Sequence, residues 1–326
     1  MTRVDVLLAG SGKMARNIGL HLLERGLDVA WVSRNDQRLA ALEASMWPRS
    51  RKFSGKARFA LADDAPAGRV LLESVEELEA SKRAIFALAP KADELILSNS
   101  SSILPLALHD RAAGLHFFYP VGETRLAEAI LPTGYRDRVT LEGFAQVAGL
   151  QLLVQDERSA FITTRLLLPL QAAAFRCLAA GCAPREVDQA SESDLLPIGI
   201  LTLMDAIGLD VLAAATARFQ ARCLPDEAAV LDPLVHGLQR LVGLGKLGRK
   251  NRDGLLMGAP LPWSERSASV EDGLARQMST ACAAALQRGL IDAADLNRVL
   301  ADVWGATRRY PGLEDALGPT GQCVPL

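Results

Sequence analysis

The sequence predicts an α/β domain built on a parallel sheet, followed by an all-helical C-terminal domain. Three observations carry that reading. The apolar run at 4–8 passes through Gly10, Gly12 and Ala15 into residues at helical spacing (18–23), then to a second apolar run at 29–32. This is a complete βαβ unit of about thirty residues. Strand-like and helical stretches go on alternating until about residue 157, which implies a parallel sheet covered on both faces. From about residue 158 helical patterns dominate, beginning with an amphipathic stretch at 162–180. The expected domains are therefore 1–157, 158–256 and a helical extension at 257–326.

Taken in order, Gly26 stops the first helix and the second strand follows. The stretch at 38–69 is the least regular and carries a basic cluster, Arg49, Arg51, Lys52, Lys56 and Arg58. A strand is expected at 69–72, a helix at 76–89 and a strand at 95–97. That strand runs into the polar string Ser98-Asn99-Ser100-Ser101-Ser102. Another strand, 114–118, ends at Tyr119-Pro120, and strand-like runs recur at 127–131, 139–140 and 152–154. In the helical half, AAAFRCLAAGCAPREVDQA (followed by MDAIG) resembles ACAAALQRGLIDAADLNRVL (followed by EDALG), a weak internal repeat.

Composition narrows the function. The 326 residues are 49% hydrophobic and 23% charged, with net charge −2, so no global positive field gathers nucleic acid or an anionic membrane. No uncharged apolar stretch reaches the roughly 18 residues of a membrane span. The opening MTRVDVLLAG lacks a signal-peptide layout. Cys177, Cys182, Cys223, Cys282 and Cys323 form no CxxC pair, and the four histidines have no zinc spacing. Free thiols, a cytoplasmic protein and no metal are the expectation.

Gly10-x-Gly12-x-x-Ala15 lies between a strand and a helix, where each small residue has a task. Gly10 makes the tight turn, Gly12 admits a pyrophosphate to the backbone, and Ala15 lets the helix pack closely. The domain is thus of Rossmann type, with the pyrophosphate on a helix N-terminus. The second strand ends in Ser33-Arg34-Asn35, without the acidic residue that bonds the ribose 2′-hydroxyl of NAD. A hydroxyl and a guanidinium suit a 2′-phosphate, so NADP is expected in preference to NAD.

His116 and Glu128 stand twelve residues apart, in two strand-like runs joined by a loop. Adjacent strands bring such a pair together, and a carboxylate beside imidazole orients the ring and stabilises its protonated form. Spacing alone also allows a buried histidine bonded to glutamate for structural reasons.

These residues are similar to those of the 3-hydroxyacyl-CoA dehydrogenase family. Five landmarks follow the family's order: the Gly10-Gly12-Ala15 turn; Leu72-Glu73 with Glu77 and Lys82; SNSSSI from Ser98; GLHFFYPV from Gly114; and GKLGRKNRDG from Gly245. The resemblance implies a Rossmann domain joined to a helical one. It implies an acyl thioester substrate, carried by CoA or acyl carrier protein, whose C3 exchanges hydride with the nicotinamide. His116 then takes the 3-hydroxyl proton, Glu128 holds His116, and Ser101 bonds the reacting oxygen. Glu77 and Lys82 lie near the nicotinamide and its ribose, and Ser101 also borders the cofactor. Two positions depart: Thr164 stands where the family has Asn beside the substrate, and Tyr119 replaces an Asn near the cofactor. Multifunctional members carry two helical copies, so the extension at 257–326 is read as a shortened second copy covering a dimerisation surface. A monomer and a homodimer both stay open. So do two other functions, a dehydrogenase of a free hydroxy acid and a non-catalytic dinucleotide-binding protein.

Overall fold

The computed structural model describes residues 3–257 and 271–305. The chain divides into two compact units, Met1–Phe161 and Ile162–Leu326.

The first unit is one sheet of eight strands: β1 (Val4–Ala9), β2 (Val29–Ser33), β3 (Ala57–Leu61), β4 (Gly68–Glu73), β5 (Ala92–Ser98), β6 (Ala112–Phe117), β7 (Leu126–Ile130) and β8 (Gln151–Gln155). Their spatial order is β3-β2-β1-β4-β5-β6-β7-β8. All neighbours are parallel except β6 and β7. The chain runs outward from β1 to β3 and then restarts on the other side at β4. The order therefore reverses between β1 and β4, the kind of switch point where open α/β sheets bind ligands at their strand ends.

Both faces of the sheet are buried, which is why the strands read as continuous apolar runs. Val6 and Leu8 pack with Ile18, Leu22 and Trp31 on one face. Leu7 and Ala9 pack with Val32, Leu71, Ile85 and Ile96 on the other. Helices α1 (Lys13–Glu24), α2 (Asp36–Ser50), α3 (Glu79–Ile85) and α4 (Arg138–Val147) connect the strands.

Three expectations are corrected. The irregular stretch at 38–69 contains most of α2 and the whole of β3. Pro48 in the last turn of α2 and a long polar face hide the helix, although Leu39, Leu42 and Met46 are buried at helical spacing. The strand-like pair at 139–140 lies inside α4, where Leu141 and Ala145 bury one face; amphipathic packing overrides the β preference of Val139 and Thr140. The helix expected at 76–89 begins only at Glu79 and tightens into a 3-10 turn, Phe86–Lys91, that contains Pro90.

The second unit is helical: α5 (Ile162–Ala179), α6 (Pro184–Asp194), α7 (Ile200–Ile207), α8 (Leu209–Arg222), α9 (Pro225–Gly243), α10 (Glu271–Gln287) and α11 (Ala293–Arg298). The string beginning at Gly245 is wound around Asp205. The Asp205 carboxylate accepts from the backbone N–H groups of Leu255 and Leu256, and its carbonyl accepts from Arg249 N–H. Gly248 has φ +84°, and an added Cβ there would lie 2.5 Å from Asp205 O. The GKLGRKNRDG landmark therefore performs a folding task.

In the repeat, α5 and α10 both end near a left-handed glycine, Gly181 (φ 92°) and Gly289 (φ 62°), before the next helix. The EDALG landmark and Cys323 lie outside the described residues. Among the described residues no single helix is long and apolar enough to cross a membrane.

Candidate active site

The site begins with strand register. In the antiparallel pair β6–β7, His116 stands directly opposite Glu128, so both side chains leave the same face of the sheet. His116 Nδ1 and Glu128 Oε2 are 2.6 Å apart. A carboxylate only accepts, so Nδ1–H donates and Nε2 is left as the acceptor of the neutral ring.

Glu128 is fully buried, whereas the His116 side chain keeps 15% exposure. The other carboxylate oxygen accepts from Gln155 Nε2 on β8 at 3.0 Å. Two rings stand edge-on to the imidazole, Phe118 at 5.2 Å and Phe161 at 6.3 Å between centroids. The imidazole is thus steered from one side by a charge held in the sheet and walled by aromatics. Phe118 is two residues along the chain, whereas Gln155 and Phe161 escaped the sequence reading because only register and chain reversal bring them to residue 116.

The polar string after β5 is held by a buried ionic knot. Lys82, 1% exposed, donates to both oxygens of Glu73 (2.9 and 3.1 Å) and lies 3.1 Å from Glu77 Oε2. Ser98 donates to Glu73 at 2.6 Å. Glu77 Oε1 accepts the hydroxyls of Ser100 (2.5 Å) and Ser102 (2.8 Å) and the backbone N–H groups of Ser101 (3.2 Å) and Ser102 (3.1 Å). Burial pushes the Glu77 carboxyl up, but Lys82 and the two hydroxyls outweigh it, so the group titrates below its ordinary value. Asn99 ties the string to β6 by accepting Phe117 N–H at 2.8 Å.

The resemblance sets Glu77 and Lys82 near the nicotinamide and its ribose; in the structure the Lys82 ammonium is enclosed by Glu73, Glu77 and the Val75 carbonyl. Glu77 shapes the loop that carries half-buried Ser101. Thr164 stands in the first turn of α5, in the second compact unit.

At the glycine turn, Gly10 has φ +141°, and an added Cβ would meet Ser74 O at 2.2 Å, so only glycine fits. Ala15 is fully buried against the turn. Gly12, the N-cap of α1, has open space where a side chain would project, and no side chain caps the helix. Open space beside the uncapped first turn of a helix fits a pyrophosphate.

At the end of β2 the Ser33 hydroxyl is used locally: it donates to Asn35 C=O at 3.0 Å and accepts Asn35 N–H at 3.1 Å. The Asn35 side chain in turn caps α2 by accepting Arg38 N–H. Arg34 is exposed, and Arg38 in the first turn of α2 is exposed beside it. Glu76 titrates below its ordinary value because of a hydrogen bond from Ser81, helped by the charges of Arg38 and Arg34. Ser33 therefore builds the turn, while Arg34 and Arg38 are the groups presented outward; sequence reading missed Arg38. Tyr119 is half-exposed and its ring lies against Lys13. Among the described residues no group of three or more His, Cys, Asp or Glu side chains is placed to hold a metal ion.

Comparison with known proteins shows the family. Residues 161–257 match the 3-hydroxyacyl-CoA dehydrogenase C-terminal domain. A probable 3-hydroxyacyl-CoA dehydrogenase of Caenorhabditis elegans is 30% identical over 287 residues, covering 77% of this chain and 94% of the relative. A 3-hydroxybutyryl-CoA dehydrogenase of Mycobacterium tuberculosis is 35% identical over 202 residues, covering 57% of this chain and 69% of the relative. Among solved structures, FadB2 of M. tuberculosis superposes with a TM-score of 0.67 at 26% identity, covering 79% of this chain and all of the other. Matched along nearly the whole length of such a relative, the chain belongs to the 3-hydroxyacyl-CoA dehydrogenase family.

Proposed function

We propose that this protein is an NAD(P)-dependent oxidoreductase that interconverts a 3-hydroxyacyl thioester and its 3-oxoacyl form. The observation that carries the reading is the His116–Glu128 pair, with Gln155 behind it and the imidazole still reaching solvent. A secondary alcohol gives up hydride only as its O–H loses a proton, so a base near neutrality is what the reaction demands. The nicotinamide, when bound, accepts or donates the hydride. The protein's part is the proton. His116 Nε2 accepts it from the 3-hydroxyl in oxidation and returns it to the 3-oxo oxygen in reduction. Glu128 keeps Nδ1 protonated and offsets the charge that appears on the ring. Ser101, on the loop held by Glu77, is assigned to the reacting oxygen, and Thr164 is assigned to the substrate.

The Gly10–Gly12 turn and the first turn of α1 receive the pyrophosphate. Arg34 and Arg38 favour the 2′-phosphate of NADP over the free hydroxyl of NAD. Charge-assisted bonds of this kind differ from neutral ones by enough to change selectivity about tenfold or more.

The test is a turnover screen of short- and long-chain 3-oxoacyl thioesters, on CoA and on acyl carrier protein, with NADPH and with NADH. We expect turnover with at least one thioester, higher kcat/KM with NADPH, and loss of that preference in Arg34→Ala. His116→Ala should lower kcat by about 10²–10⁴. Turnover of the free 3-hydroxy acid in preference to its thioester, or no turnover across the panel, would sink the proposal.

A further inference from the structure

Two side chains from well-separated strand ends touch across the proposed dinucleotide crevice. Lys13 opens α1, directly after the glycine turn that follows β1. Tyr119 stands two residues beyond the end of β6. Lys13 Nζ is 3.6 Å from the centroid of the Tyr119 ring, a cation–π contact. Strands β4 and β5 lie between β1 and β6, and all four run parallel. The two strand ends therefore share one rim of the sheet, roughly 14 Å apart at ordinary strand spacing. That rim includes the β1/β4 switch point, where the order of strands reverses.

Two further observations mark the contact as more than a chance meeting of surface side chains. The loop that carries Tyr119 leans towards α1 along its length: an added Cβ at Gly122 would stand 3.3 Å from His21 Nδ1. Lys13 also sits against local electrostatics. It occupies the first position of a helix whose first turn holds no acidic residue, where the helix dipole disfavours a cation. A cation there is relieved either by an anion on the helix N-terminus or by the negative face of a π system, and Tyr119 supplies the second.

We propose that Lys13 and Tyr119 form a latch across the dinucleotide crevice, which opens to admit the dinucleotide and must open again to release it. The inference rests on the dinucleotide-binding reading above. Each passage then includes the breaking of the Lys13–Tyr119 contact, so the latch slows entry and release together. Only the ring face matters for holding the ammonium, and the phenol oxygen is dispensable.

Stopped-flow fluorescence of NADPH binding to the full-length chain tests this, in wild type, Tyr119→Ala, Tyr119→Phe, Lys13→Met and the Lys13→Met/Tyr119→Ala double variant. Tyr119→Ala should raise both association and release rate constants, by about two- to fivefold, as expected for an exposed cation–π contact. Lys13→Met should speed release to the same degree. The double variant should release no faster than either single one, because each substitution opens the same latch. Tyr119→Phe keeps a π face and should stay as slow as wild type. Unchanged rates in Tyr119→Ala, additive effects in the double variant, or a Tyr119→Phe that behaves like Tyr119→Ala overturns the latch while NADPH binding itself stands. A wild-type chain that binds neither NADPH nor NADH overturns the dinucleotide reading and the latch with it.

Discussion

Glu128 is a charge placed in the sheet with both oxygens committed, one to His116 and one to Gln155. Glu128→Gln keeps the shape and an acceptor for Nδ1–H but removes the charge that offsets an imidazolium. We expect kcat to fall about 10²-fold or more with KM little changed, measured by steady-state kinetics. Lys82 is the opposite case, a cation surrounded by carboxylates. Lys82→Met leaves Glu73 and Glu77 buried without their counter-ion, and urea unfolding should show a loss of about 3–5 kcal/mol. Glu77 adds a pH dependence with a definite sign. Its folded-state pKa lies below the ordinary carboxylate value. As pH falls, the unfolded chain therefore takes up the proton first. The stabilisation is complete above the unfolded value and is lost as pH drops through the folded one. Burial similarly lowers the pKa of His21, which is hydrogen-bonded to the Ala148 carbonyl. For this base the unfolded chain again binds the proton more readily, so stability falls as pH drops below about 6.5. Unfolding midpoints should stay level from pH 8 to about 6.5 and then fall towards pH 4, and Glu77→Gln should flatten the acid end of that profile.

At the scale of elements, the βαβ unit and the β6–β7 hairpin account for what the sequence disclosed. Gly10, Gly12 and Ala15 can be read because backbone geometry restricts each to a small residue. His116 and Glu128 can be read because two apolar runs enclose a short loop. The polar string was also visible, but its anchor was not: Glu77 reaches Ser100–Ser102 from the segment before α3, a contact that spans 23 to 25 residues and leaves no local pattern. The α4 error has the same origin, since Val139 and Thr140 favour strands locally while burial of Leu141 and Ala145 decides for a helix. Gly248 illustrates an element fixed by close approach. Gly248→Ala places a Cβ against Asp205 O at a positive φ, and thermal unfolding should show destabilisation of about 1–3 kcal/mol.

At the scale of the whole molecule, the texture change near residue 158 follows from different burial patterns. Strands buried on both faces read as apolar runs, and helices buried on one face read as periodic ones. The last helices extend the helical unit beyond the family match that ends at residue 257. Within that unit α10 packs on α5 and α6 and buries Leu274, Met278, Cys282 and Ala285. Periodicity made α10 legible. Its partner helix was not, because no residue type in α10 names α5. We expect Met278→Ala to cost about 2–5 kcal/mol in urea unfolding, which marks α10 as part of the helical core.

The most direct test of the account follows deuterium from NADPH labelled at its reactive ring carbon into the product of a 3-oxoacyl thioester, in wild type and in His116→Ala. The account predicts one deuterium at C3 of the 3-hydroxyacyl product with wild type and its near absence with His116→Ala over the same time. An unlabelled product would contradict hydride transfer from the nicotinamide to C3, and equal labelling by the two proteins would contradict the assignment of His116 as the proton carrier.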